Sequence, residues 1–419
     1  MTATTSSCSC DEYAATSVGR RGLLRGAALL GAVSTFGTTV VTTSQGTAWG
    51  APASSVIVVL SMRGAADGLS LVVPHGDPTY YAARPRIAVP AASLLAKDAM
   101  FGLHPALAPL VPLWNAGKLA AVHATGLPVA NRSHFAAMEE VEDADPGSSA
   151  RVGWLNRLLG ADALTSPVQG LAVGSAAAPA SFVGTQPVMT MPDLATVTVA
   201  GGDPANPQDA RLRSLRTMWG SSATAMGSGV RTSLAGSAAL KQATAQPDRS
   251  ASYPATGLGQ ALSAVARTLR ADIGVSLVTV DQGDWDMHTD QGTATSGRLV
   301  TNATDFAKAV AAFSADLGPV ADKVTLVTIS EFGRRVAENA NAGTDHGWGN
   351  VMFVAGAGVK GGRYLGTWPG LQNTLDADLA VTTDYRSVLA EVVASRTTAS
   401  TAAVFPGFRR ERVGVMQGQ

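Results

Sequence analysis

Residues 324–354 read VTLVTISEFGRRVAENANAGTDHGWGNVMFV. The stretch opens with a β-branched, apolar run at 324–329, the pattern of a strand buried on both faces. Ser330-Glu331-Phe332-Gly333-Arg334 follows at once, and an Asn/Ala/Gly passage then leads to Thr344-Asp345-His346-Gly347. A second apolar run covers 351–354. Carboxylates and a histidine therefore stand where buried strands leave a sheet, which in open α/β proteins is where ligands bind.

Working outward, the same grammar recurs. Residues 54–61 (SSVIVVLS) form another continuous apolar run, which ends in Arg63-Gly64-Ala65-Ala66-Asp67-Gly68. Asp67 is either an ordinary turn residue or a functional carboxylate just past a strand. A third run, 273–280 (IGVSLVTV), leads into Asp284-Trp285-Asp286-Met287-His288. In an extended segment Asp286 and His288 share a face, and a carboxylate with an imidazole suits a divalent cation.

The passage Asn131-Arg132-Ser133-His134-Phe135 opens a helix expected over about 135–141. Ser133 stands at its N-cap, a structural role that suffices for a serine. The same geometry sets a hydroxyl beside free N–H groups at the positive end of a helix, which suits an oxyanion. Both readings stay open. Arg132 and His134 beside it are able to meet the same anion or a metal. His75, His104 and His123 read as solvated, capping and core residues respectively.

Strands alternate with helical stretches, so the expected class is α/β with a mainly parallel central sheet. With 419 residues, 46% hydrophobic and 15% charged, the chain supports a large core. Residues 54–400 read as one domain, with a cap or insertion over 151–255 that carries few candidate catalytic residues, and 401–419 as a C-terminal tail. A net charge of zero offers no basic face for phosphates, so nucleic acid is not an expected partner.

Arg20-Arg21, the leucines after it, an uncharged run at about 26–41 and small residues near 46–53 have the order of an export signal over 1–50. The paired arginines imply the twin-arginine translocation machinery as a partner and a secreted or extracytoplasmic location. The apolar run is short and rich in Gly, Ser and Thr, so no stable membrane span is expected in the mature chain. Cys8 and Cys10 precede the paired arginines, so a metal site in the mature chain must use His, Asp and Glu.

RGAADGLS, NRSHF, WDMH, SEFGR and TDHGWGNVMFVAGAGVKGG, read in order, resemble the motifs of the DUF1501 family, exported bacterial proteins of uncharacterised function. The resemblance covers about 55–395. That family is similar to the alkaline phosphatase and sulfatase superfamily, which implies a three-layer αβα sandwich and a two-metal site. The resemblance implies that Asp67 is the first aspartate ligand and that Ser133 is the nucleophile. It sets Asp286 and His288 as a ligand pair, Glu331 at a further acidic position with Phe332 where a histidine ligand is usual, and Asp345-His346 as the late histidine ligand.

The resulting expectation is a metal-dependent hydrolase of phosphate or sulfate esters, acting on a small molecule or a polymer. It would use one or two divalent ions (Zn, Mn, Mg or Ca) held by Asp67, Asp286, His288, Glu331, Asp345 and His346. Ser133 would attack, and Arg334 would clamp the transferring group. Arg63, Arg132 and His134 would bind substrate. The alternative is an exported protein without catalysis, or a module for an anionic polymer, that keeps the fold and a structural metal.

Overall fold

A computed structural model describes residues 52–162, 166–197 and 209–419. The expected export signal and both cysteines lie outside the described residues. In chain order the strands are β1 (Val56–Met62), β2 (Val72–Val73), β3 (Gly102–Leu103), β4 (Leu119–Gly126), β5 (Gly170–Val173), β6 (Met189–Met191), β7 (Leu277–Gln282), β8 (Val324–Ile329), β9 (Asn350–Gly356), β10 (Arg363–Leu365) and β11 (Thr383–Asp384). Nine of them form one sheet in the order β10-β4-β9-β8-β1-β7-β5-β6, with β11 also pairing β4; β2 and β3 pair separately. Within the large sheet β9 runs antiparallel to β4 and β8. The other pairings are parallel. The fold is therefore mixed α/β around a mostly parallel sheet.

The continuous apolar character of β1 has a direct cause. Val58, Leu60 and Met62 face one core, shared with the helices Gly257–Arg270 and Arg298–Asp316. Ile57 and Val59 face a second core, shared with the helices His134–Asp143, Trp154–Ala161 and Tyr385–Arg396. Both faces are covered, so alternation is lost. Burying each such aliphatic side chain stabilises by about 1.5–3 kcal/mol, and Leu60→Ala at the centre should cost about 2–5 kcal/mol. The helix over 257–270 begins where Thr256 accepts from the Gly259 amide (3.1 Å), satisfying one of the free donors of its first turn.

Two parts of the expected domain plan gain detail. The 151–255 segment, expected as a cap or insertion, holds β5 and β6, which extend the central sheet beyond β7. Gly170–Val173 is too short and apolar to stand alone, and pairing with β7 gives its backbone a partner. The 401–419 segment, expected as a C-terminal tail, packs on the domain. Val404, Phe405, Val415 and Met416 are buried in the second core. The buried carboxylate of Glu391 accepts the Val413, Gly414 and Val415 amides at 2.7–2.8 Å. Among the described residues no helix is long and apolar enough to cross a membrane.

The topology also gathers the loops. β1, β4, β7 and β8 run in one direction and β9 enters against them. The loops after β1, β4 and β7 and the loop that joins β8 to β9 thus meet at one edge of the sheet. Glycines let their backbones touch there: a Cβ on Gly333 would fall 1.8 Å from the Gly349 carbonyl oxygen, and one on Gly343 2.3 Å from the His288 backbone.

Candidate metal centre

His134 opens the helix after β4, Asp286 and His288 follow β7, and His346 precedes β9. The fold brings their polar tips together. The Nε2 atom of His346 lies 3.0 Å from Nε2 of His134 and 2.9 Å from Nε2 of His288. Asp286 completes the group. Its Oδ1 is 3.1 Å from His288 Nε2 and 3.5 Å from His346 Nε2, and its Oδ2 is 3.7 Å from His134 Nε2. The ligand atoms of His134, Asp286 and His346 all lie within 4.8 Å of one another. His288 touches His346 and Asp286 at the rim of that triad.

What the other ring nitrogens do decides the chemistry. His134 Nδ1 meets Glu331 Oε1 at 2.8 Å. His288 Nδ1 meets Asp345 Oδ1 at 2.8 Å. His346 Nδ1 meets the Arg132 carbonyl oxygen at 2.9 Å. A carboxylate and a carbonyl only accept, so each Nδ1 carries the proton and each neutral ring is left with a bare Nε2 lone pair. Bare lone pairs 2.9–3.0 Å apart repel unless a cation or an added proton lies between them. Metal-bound imidazoles are oriented in this way, by a carboxylate or carbonyl on the far nitrogen. The residues fit a divalent cation.

The electrostatics agree. Burial opposes ionisation of Asp286, but Arg334, by hydrogen bond and charge, holds its carboxyl below the usual carboxylate range. Burial likewise opposes ionisation of Asp345, and the Asn339 and His288 contacts outweigh it. Burial pushes the His346 imidazole below its ordinary value, against the Arg132 carbonyl, and Arg334, His134 and His288 add to the depression. An anionic Asp286 and a neutral His346 ring are the protonation states that metal ligation requires.

The remaining expected site residues divide by what they touch. Glu331 is buried behind His134 and also accepts the Gly64 amide (2.8 Å), so it orients a ligand. Asp345 does the same for His288, steadied by the Asn339 amide group (3.0 Å). Phe332 is buried, with ring centroids 4.9 Å from both His134 and His346, so it is an apolar floor for two ligand rings. His134, expected to bind substrate, lies in the ligand cluster.

Asp67, expected as a ligand, is buried in an ion pair with Arg84 (2.6 Å) and accepts from Ser70 and Gln291. Its oxygens are taken by fixed donors. Arg334, expected to clamp substrate, has a fully buried side chain whose guanidinium is held by four backbone carbonyls and Asp286. Arg63 is paired with Asp281 and Glu142. Arg132 pairs with Asp378 and keeps a half-exposed side chain. Ser133 is exposed at the helix start, and its hydroxyl makes no capping hydrogen bond.

Sequence reasoning missed Arg84 and Gln291, which neutralise and hydrogen-bond Asp67, and Asn339. None of the three has a local signal: Arg84 lies in a Pro- and Tyr-rich surface-like stretch, and its partner is 17 residues away. Residues 53–402 match the family model described as "Protein of unknown function (DUF1501)", and the chain belongs to that family. No curated protein matches it.

Proposed function

We propose that this DUF1501 protein holds a divalent cation through His134, Asp286 and His346, with His288 at the rim, and hydrolyses phosphate or sulfate esters there. The observation that carries the reading is the set of Nε2 lone pairs turned on one another while every Nδ1 is tied to an acceptor. The cation, when bound, supplies Lewis-acid polarisation of the ester and lowers the pKa of a hydroxyl or water beside it. Ser133 adjoins His134 in the chain, and its hydroxyl has no capping duty. It is the candidate nucleophile. The ten-residue helix starting at His134 turns its positive end and free amides to an anion there. Arg132 is the arginine best placed to add charge, since the Arg334 side chain is fully buried and its guanidinium is held by backbone carbonyls and Asp286.

Exposure supports catalysis over a closed structural clip. The side chains of His134, His288, His346 and Asp286 keep 25–46% of their surface exposed, and a site that exchanges ligands needs an open position. The resemblance to the alkaline phosphatase and sulfatase superfamily is part of this proposal. So is export, for which Arg20-Arg21 is the support.

Metal content per chain, measured beside His346→Ala, tests the centre. Hydrolysis of aryl phosphate and aryl sulfate esters, measured beside Ser133→Ala, tests the chemistry. No metal in the parent at neutral pH would sink the proposal. Metal with full turnover in Ser133→Ala would replace the serine with a water nucleophile.

A further inference from the structure

Arg334 is better placed to set the centre than to meet substrate. Its Nε donates to the Ala65 carbonyl (2.7 Å), its Nη1 to that of Thr344 (3.0 Å), and its Nη2 to those of Gly64 and Trp285 and to Asp286 Oδ1 (2.6 Å). These acceptors lie after β1, after β7 and before β9, while Arg334 itself follows β8. One buried guanidinium therefore braces the β8–β9 loop and ties it to the loops after β1 and β7 at the sheet edge.

The oxygen it holds is the one that faces the ring nitrogens of His288 and His346. Asp286 is half-exposed at its side chain, so without Arg334 little would keep that oxygen turned inward rather than toward water. Gly64 joins the two sides of the centre. Its amide donates to Glu331, which orients His134, and its carbonyl accepts from Arg334, which orients Asp286. Gly64 has φ +103°, and a Cβ there would fall 2.7 Å from the Asp286 amide nitrogen, so only glycine allows this contact.

We infer that Arg334 is a positioning residue for the metal centre: it fixes the ligand oxygen of Asp286 and thereby sets how tightly the cation is held. The inference rests on the metal reading above. A lysine is no substitute, because a point ammonium does not reproduce the planar fork that spans these acceptors.

The test is Mn2+ affinity by calorimetry, with the Co2+ ligand-field spectrum as a second reading, on the full chain. Compared are the parent, Arg334→Lys, Arg334→Gln, Asp286→Ala and the Arg334→Gln/Asp286→Ala double variant. Melting of the metal-free forms shows which are folded. Expected are losses of about 10–100-fold in affinity for both Arg334 variants, the scale typical of groups that orient a ligand, with a changed cobalt spectrum. In the Asp286→Ala background the Arg334 change should add less than about twofold, because its effect runs through the missing carboxylate. Losses that multiply in the double variant would overturn the inference and leave the metal centre standing. So would parent affinity in a folded Arg334→Lys. If Arg334→Gln does not fold, Arg334→Lys, which keeps the charge, decides on affinity and spectrum. A parent that binds neither ion overturns the metal reading and this inference with it.

Discussion

Asp67 and Asp286 follow adjacent, paired strands of the same sheet, and their surroundings make them opposites. Asp67 is sealed from water and answered by Arg84, Ser70 and Gln291. Burial alone would raise its carboxyl, but Arg84 holds it below the usual range. Asp286 is answered by a single fixed cation on one oxygen and by the Nε2 atoms of three imidazoles whose Nδ1 atoms face acceptors. The first cluster is electrically complete. The second would be completed by a cation. A carboxylate past a strand is thus a candidate ligand only where its neighbours leave lone pairs unanswered.

The largest effect that separates the two clusters is Arg84→Ala. It strands a buried carboxylate and should lose about 3–5 kcal/mol in denaturant unfolding, with metal content per chain unchanged. A loss under about 1 kcal/mol would mean that the Asp67 cluster is not the closed pair described.

Next comes pH, read on a histidine of a third kind. His123 is buried against Phe101 and Trp368, and burial pushes it down to about 3; His104 is likewise pushed down to about 4. Their folded values lie below the unfolded value, so the unfolded chain takes up the proton first. Stability should therefore fall as pH drops from about 6.5 toward 4, by about 3 kcal/mol at pH 4 for His123 alone. His123→Leu should flatten that slope; an unchanged slope would assign it to other groups.

Third is His346→Ala. Saturating Mn2+ at about 100 times its dissociation constant should stabilise the parent by about 2.7 kcal/mol and the variant hardly at all. Equal metal-induced rises in melting temperature would return this cluster to the closed class. Asp345→Ala should act more weakly, lowering affinity by about 10–100-fold through the freed His288 ring; parent affinity would remove His288 from the centre. The smallest shift in stability belongs to Ser133→Ala, under about 0.5 kcal/mol, since the hydroxyl caps nothing. Its ester turnover should nonetheless vanish.

The strands at 54–61, 273–280 and 324–329 were legible because a run buried on both faces has a composition that can be read residue by residue. The acidic and histidine groups at their ends were legible for the same local reason, and Asp286, His288 and His346 do converge. Roles within the cluster were not legible. His134, open to an anion or a metal in the sequence, is a ligand candidate, Glu331, expected as a ligand, stands behind that candidate, and Arg334, expected as a clamp, is enclosed. A role depends on which atom faces which at 3 Å, and partners such as Arg334 and Gly64 lie 270 residues apart in the chain. The packing of 151–255 and 401–419 was likewise not legible. Short strands such as Met189–Met191 and a chain end held by Glu391 have little pattern of their own, and become structure only against a sheet edge or a buried carboxylate.

By itself the sequence determined an α/β chain with its reactive side chains at strand ends and no thiol among them after Cys10, because hydrophobic runs and residue chemistry are local properties. Only the tertiary structure decided that Arg84 closes off Asp67 while three imidazoles are left facing one another. That choice is made by packing between distant segments, where an ångström separates a satisfied charge from an open ligand.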